Sequence, residues 1–437
     1  MDPILTVSLL LGLMFLLLAA GVWIAPVLMA VAAVAIDVMA GRPAGSSIAT
    51  TAWSASSSWM LTALPMFIWM GDILFHSRLS EDMFKGLSPL MRRWPGGLLH
   101  TNVMGCTLFG SVSGSSVATL TTVGKMTIPE LRKRGYPEHL IVSTLAGPAT
   151  LGLMIPPSII MIVYGALTNE SIAKINIAGI LPGLVLAAMF SLYVAFKALT
   201  LPGYNPVREA EASWREKLHA SRKLIPVVLL LSLVIGSMMF GFATATEAAA
   251  VGVLGALMLA WAQGTLTKDM FMTSLMSATR SSVMISLILV SAGSLSLAMG
   301  YLRLPEMLAT WVDSLQLTPF WLLMGLLALY TILGHFLDGI SCVALTISIV
   351  EPMVRHAGID MIWFGIFMVL VVEMAQITPP VGFNLTVLQS MTGHDMFKVG
   401  WWSVPMHVIM LAMVFILIAV PGLATWLPSL MMPVHGA

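Results

Sequence analysis

The chain has 437 residues, 58% of them apolar and only 9% charged, against roughly a quarter charged in ordinary soluble domains. Its 21 Lys plus Arg and 20 Asp plus Glu nearly cancel, so no basic surface points to nucleic acid and no acidic tail appears. So many apolar runs of spanning length exclude a soluble globular protein and imply an all-α polytopic membrane protein. Two cysteines, Cys106 and Cys342, fall in different halves. They form neither a disulfide framework nor a CxxC pattern and read as small core residues.

The chain opens Met1-Asp2-Pro3 without the positive segment of a signal peptide, so the run near 4–20 is expected to remain as a first span. Further spans are predicted near 22–40, 56–76, 138–166 and 174–200. The longest charged segment follows, 202–223, and reads as a cytoplasmic linker. Spans resume near 224–242, 245–263, 280–300, 358–391 and 399–426. Residues 1–201 and 224–437 thus form two five-span halves. An odd number of spans per half turns the second half upside down, giving an inverted-topology repeat.

Two segments do not read as simple spans, about 95–127 and about 318–353. Each is apolar at its ends and polar at its centre, and is predicted to be a re-entrant helical hairpin with a buried tip. Amphipathic segments near 79–92 and 303–315 precede them. Basic residues flank the first hairpin (Lys85, Arg92, Arg93, Lys125, Arg132, Lys133, Arg134), fill the linker and recur in the next hydrophilic turn with Lys268 and Arg280. The positive-inside rule makes that face cytoplasmic, so the second hairpin opens to the periplasm and both termini lie there.

The chemistry is expected where the apolar pattern breaks. Gly110-Ser111-Val112-Ser113-Gly114-Ser115-Ser116 forms the first hairpin's centre, and the span 138–166 is broken by Gly147, Gly152 and Pro156-Pro157-Ser158. The second half offers Asp338, Gly339 and Ser341 at a tip, and a break from Gln376 through Thr378, Pro379 and Pro380 to Gly382. Prolines remove amide donors and free carbonyls. Carbonyls and hydroxyls at membrane depth suit Na⁺, so one cation site per half is predicted. Asp338 is a costly intramembrane carboxylate with a functional reading. Glu373 and Asn384 flank the second break, where Asn384 either binds substrate or caps backbone. Glu247 is explained by helix capping from Thr246. Asp37, Asp72 and His335 lie near span ends, within reach of water. Enzyme motifs fail: Val112 stands where a nucleophile elbow needs serine. Gly124-Lys125-Met126 is not a P-loop, and no clustered His ligands appear.

Longer motifs then align in order. Ser111 to Thr119, Gly135-Tyr136-Pro137, Gly147 to Ser158, Ala178 to Gly183, Thr244 to Gly252 and Thr378 to Leu385 together resemble the large membrane subunit of tripartite ATP-independent periplasmic (TRAP) transporters. The resemblance covers essentially the whole chain. Val117 departs from it, standing where a proline often follows the double serine. The resemblance implies a sodium-driven importer of organic acids in the bacterial inner membrane. It works with a small four-helix membrane subunit and a periplasmic substrate-binding protein by an elevator mechanism. Carried onto these positions, one Na⁺ lies between Ser113–Ser116 and the Gly152–Pro156 break. A second lies between Asp338–Ser341 and Gln376–Pro379, and a dianionic substrate requires a third cation. The substrate sits between the tips, with Ser116, Pro157, Ser158 and Asn384 as candidate contacts. The rival reading is a stand-alone sodium/anion symporter of related architecture.

Overall fold

The computed structural model describes residues 3–200, 213–307, 310, 318–379 and 382–432, and among these every regular element is helical. The first half runs α1 (Pro3–Ala19), α2 (Ile24–Val34, continued by a π turn Ala35–Met39), α3 (Ala44–Ser56), a 3-10 turn (Trp59–Thr62), α4 (Ala63–His76) and α5 (Leu79–Met91). It continues with α6 (Leu99–Ser113), α7 (Ser116–Lys133), α8 (Glu138–Ala149), α9 (Leu151–Met154), α10 (Ile159–Thr168) and α11 (Ile172–Thr200). The second half runs α12 (Trp214–Ser221), α13 (Ile225–Met239), α14 (Ala245–Ala262), α15 (Lys268–Tyr301), α16 (Pro319–Leu333) and α17 (Gly339–His356). It ends with α18 (Met361–Ala375), α19 (Phe383–Thr392), α20 (Met396–Ala419) and α21 (Gly422–Ser429).

Helix order coincides between the halves. Both ends of α17 fall 223 residues beyond those of α7 (116 to 339, 133 to 356), and α18 starts 223 beyond α8 (138 to 361). The helix-tip-helix units α6–α7 and α16–α17 occupy the two hairpin segments. The broken helices are α8–α9–α10, bent by 40°, and α18–α19. Helix α18 is apolar apart from Glu373 and buried at every residue but Ile362, as befits a helix walled in on all sides. It packs on α10, α11, α16, α17 and α20. A smaller, separate core joins α1, α2 and the second half of α15, touching α17 at Ala344 and Leu345.

Some elements differ from expectation. The span near 280–300 begins at Lys268 and runs 34 residues, about 51 Å at 1.5 Å per residue. Arg280 therefore lies inside α15, not in a turn. Its counterpart in the first half is split into α3, the 3-10 turn and α4, and α15 packs on α3 and α4. Helix α3 was not anticipated, because its Ser/Thr content lowers the hydropathy. Its hydroxyls return to the preceding turn, Ser47 and Thr51 to the Pro43 and Ser47 carbonyls at 3.0 and 2.9 Å, which conceals their polarity. Most of the segment 303–315 and residues 202–212 of the linker lie outside the described residues; the rest of the linker contains α12.

Candidate functional site: two hairpin tips on two helix breaks

The first tip is a turn of two residues. Gly114 closes α6 in the left-handed region, φ 58°, which glycine adopts without a Cβ penalty. Ser115 then caps α7, its Oγ accepting from the Ala118 amide at 3.4 Å. The hydroxyls of Ser113 and Thr119 meet at 2.8 Å, and Thr119 Oγ1 donates to the Ser115 carbonyl at 2.7 Å. Ser111 turns back to the Leu108 carbonyl at 2.8 Å.

This tip lies directly on the first break. A Cβ on Gly110 would stand 2.6 Å from Gly152 Cα, and one on Gly152 would stand 3.0 Å from the Ser115 carbonyl oxygen. A Cβ on Gly114 would likewise stand 3.0 Å from the Pro157 carbonyl oxygen. The break holds the cis Pro156–Pro157 peptide. Ser158 caps α10 through the Met161 amide and donates to the Leu153 carbonyl at 2.5 Å, while its own amide reaches Asn176 Oδ1 at 2.9 Å. Its side chain is therefore committed to structure. Gly147 is not at the tip: a Cβ there would meet Met406 and Phe190 at 2.7 and 3.0 Å, so its small size serves helix packing.

The second tip is built differently. Asp338 caps α17, its Oδ2 accepting from the Ile340 and Ser341 amides at 3.2 and 3.4 Å, and its Oδ1 accepts from the Ser341 hydroxyl. His335 joins this tip to the second break, its ring nitrogens lying 2.5 Å from the Thr331 carbonyl and 3.3 Å from the Pro379 carbonyl. Thr378 Oγ1 donates to the Met374 carbonyl at 2.8 Å and lies 2.9 Å from His407 Nδ1. Gly382 presses on Gln376, whose carbonyl receives the Asn384 amide at 3.3 Å. Pro380 and Val381 lie outside the described residues.

The halves also cross. Ser116 Oγ donates to Gln376 Oε1 at 3.4 Å, and Gln376 Nε2 donates to Glu373 Oε1 at 2.9 Å. A Cβ on Gly339 would lie 3.3 Å from Gln376 Nε2 and 3.0 Å from Ile160 Cδ1. Each tip therefore touches the other half's broken helix. The far ends repeat the crossing. Arg132, in the last turn of α7, donates to the Thr392 carbonyl at the end of α19 at 3.1 Å. Arg355, in the last turn of α17, donates to the Thr168 carbonyl at the end of α10 at 3.3 Å.

Chemically, the centre offers both signs. The N-terminal ends of α7, α10, α17 and α19 meet around Ser116, Ile160, Gly339 and Gln376, and helix N-termini favour anions. The C-terminal ends of α6, α9 and α18 bring carbonyls, which favour cations. At the second break, three buried polar atoms stand unpartnered among the described residues: Glu373 Oε2 and both amide atoms of Asn384. Asn384 therefore does not cap backbone with its side chain. No group of three or more His, Cys, Asp and Glu gathers among the described residues; the donors at the tips and breaks are carbonyl and hydroxyl oxygens.

Three residues escaped the sequence reading. His335 bridges tip and break, although its position suggested a span end. Thr119 completes the first tip's hydroxyl network. Asn176 anchors the first break; an amide inside the apolar run 174–200 was its one visible signal. The Glu247 cap is also reassigned: Thr244, not Thr246, caps α14 in a capping box with Glu247, and Thr246 Oγ1 instead donates to the Trp59 carbonyl at 3.4 Å.

The chain is similar to known proteins. Residues 11–423 match the family described as "Tripartite ATP-independent periplasmic transporter, DctM component". The C4-dicarboxylate TRAP transporter large permease protein DctM of Pseudomonas aeruginosa is 31% identical over 88% of this chain and 89% of its own. The ectoine/5-hydroxyectoine TRAP transporter large permease protein UehC of Ruegeria pomeroyi is 28% identical over 85% of this chain and 86% of its own. Among solved structures, the YdaH transporter of Alcanivorax borkumensis, described as having an unusual topology, superposes with a TM-score of 0.63 at 15% identity, over 88% of this chain and 89% of that one. With the family matched over nearly its full length, this chain is a member of the tripartite ATP-independent periplasmic transporters, in the role of their DctM component, the large permease subunit.

Proposed function

We propose that this permease imports a carboxylate substrate, driven by sodium, from a periplasmic binding protein and alongside a small four-helix membrane subunit. The family and the apolar helices make it a multi-pass inner-membrane protein. The relatives' names speak of C4-dicarboxylates and ectoines, which favours an organic acid or zwitterion here. One observation carries the reading: each hairpin tip sits on a broken helix, with Ser115 at Gly152 and His335 at Pro379. Coordinating oxygens and helix N-termini are then concentrated at one buried place.

The mechanism follows from charge. Each positive charge moved inward down the membrane potential contributes roughly 2.3 kcal/mol per 100 mV. Two Na⁺ thus outweigh a monoanion, and a dianion requires a third cation. One Na⁺ is proposed at Ser113–Ser116 with Gly152–Pro156, the other at Asp338–Ser341 with Gln376–Pro379. Filled cation sites neutralise the tips, so tips and substrate cross together. The recurrence of helix boundaries 223 residues apart supports an inverted repeat. The crossed contacts at Ser116–Gln376, Arg132–Thr392 and Arg355–Thr168 support hairpins and broken helices moving as one body. The separate core of α1, α2 and α15 supports a scaffold against which that body slides as an elevator. Positive charge on the α5–α12 face supports a cytoplasmic location for that face and a periplasmic one for both termini.

The second reading is a stand-alone sodium/anion symporter; the YdaH transporter shares the fold and bears on the architecture alone. Proteoliposomes separate the two. Uptake requiring an inward Na⁺ gradient, the small subunit and the binding protein supports the tripartite reading. Full uptake by this chain alone favours the rival, and sodium-independent uptake overturns both.

A further inference from the structure

We propose that α12 and α5 form a binding site for the phosphate headgroup of an anionic phospholipid in the leaflet on that face of the protein. Helix α12 begins with a capping box in which the Ser213 amide donates to Glu216 Oε2 at 2.8 Å. Trp214 and Leu218, four residues apart and so on one face, are 80% and 62% exposed. On the neighbouring stripe, Arg215, His219 and Arg222 recur at helical spacing. The apolar helix α13 starts four residues after α12 and is bent from it by 48°. That bend turns α12 away from the span axis at the membrane boundary, where an interfacial helix lies.

Helix α5 packs against it closely: a Cβ on Gly86 would stand 2.8 Å from Leu224 and 3.1 Å from the Ala220 carbonyl. Between the two helices is a cavity of about 490 Å³ lined by Lys85, Arg215, Glu216, His219, Ala220 and Lys223. The one acid lining it, Glu216, serves the cap; beside the cavity, Glu81 pairs with Lys85 and Asp82 lies 3.4 Å from Lys223, which leaves Arg215 and His219 as the basic groups facing it. No carboxylate among the described residues pairs with Arg215 or His219. Lys85, hydrogen-bonded to the exposed Glu81, holds that carboxyl below its ordinary range, with smaller contributions from Arg78 and Lys223.

A soluble anion has no use for an exposed Trp-Leu face beside a cationic cavity, whereas a phospholipid uses both. Basic clusters next to a span attract acidic lipids by roughly 1 kcal/mol per Lys or Arg, about fivefold in affinity.

The test uses the purified full-length chain in zwitterionic nanodiscs, titrated with dioleoylphosphatidylglycerol or dioleoylphosphatidylcholine and read by native mass spectrometry and thermal unfolding. Phosphatidylglycerol is expected to bind at least about fivefold more tightly and to lose that preference in about 0.5 M KCl. Arg215→Gln should weaken it about fivefold, Arg215→Gln with His219→Gln more, and Arg215→Lys should retain it. An unchanged preference in the folded double variant overturns the site. Equal binding of both lipids does the same. So does glycerophosphoglycerol, the headgroup without chains, binding as tightly as the lipid.

Discussion

Ser116, the first residue of α7, places its hydroxyl 3.4 Å from Gln376 Oε1 at the end of α18, so the tip of one half is held by the break of the other. Gln376 passes the connection on to Glu373. The two halves therefore share one centre. A neutral hydrogen bond of this kind is worth about 0.5–1.5 kcal/mol. Ser116→Ala and Gln376→Ala should each lower the melting temperature in detergent. Their double variant should fall short of additivity by about 0.5 kcal/mol or more. Full additivity in that cycle would show that the two residues act separately.

The Gly110–Gly152 approach allows no side chain on either partner. Gly152→Ala puts a methyl group 2.8 Å from Thr119 Oγ1 and 3.0 Å from the Ser115 carbonyl. Overpacking of this sort costs about 1–3 kcal/mol, and the tip must lift from the break. Thermal unfolding should show the loss, and sodium-dependent uptake should fall with it. Gly135→Ala serves as the comparison, because nothing lies within 4 Å of a Cβ there although φ is +73°; uptake should survive it.

The arginine contacts predict a crossed response. Arg132→Gln should speed amide hydrogen exchange at the end of α19, in the other half, while leaving α10 unchanged. Arg355→Gln should do the reverse, loosening the end of α10. Both side chains are more than a third exposed, so each contact is worth about 1 kcal/mol or less. Local exchange is therefore the readout, since the overall melting temperature will hardly move. Loosening confined to each arginine's own half contradicts the crossed packing.

What the chain reveals before folding follows from the range of each interaction. The first tip was legible because Gly114 and the serines around it conflict with an apolar run, and such a conflict is local. The prolines at 156, 157 and 379 were legible for the same reason. The crossing of Ser116 to Gln376 was not, because 260 positions separate them and no local pattern encodes a partner that distant. His335 was read as lying near a span end because its neighbours Gly334, Phe336 and Leu337 give no local sign of the Pro379 carbonyl, 44 positions away, at which its ring is aimed. Helix α3 was missed because hydroxyls that bond to their own helix still count as polar in a hydropathy window.

Asp338 allows cap and charge to be separated. Asp338→Ala removes both, and loss of the cap alone costs about 1 kcal/mol. Asp338→Asn keeps an N-capping oxygen and should melt close to the parent protein. If the carboxylate serves only as a cap, Asp338→Asn will transport normally across the sodium range.

The most direct test is the sodium dependence of substrate uptake in proteoliposomes carrying the complete transporter, compared among the parent protein, Asp338→Asn and Ser115→Ala. The half-saturating Na⁺ concentration is expected to rise about tenfold in each variant, equivalent to about 1.4 kcal/mol, with protein insertion unchanged. Superimposable sodium curves for all three proteins would contradict the placement of coupling cations at the two tips.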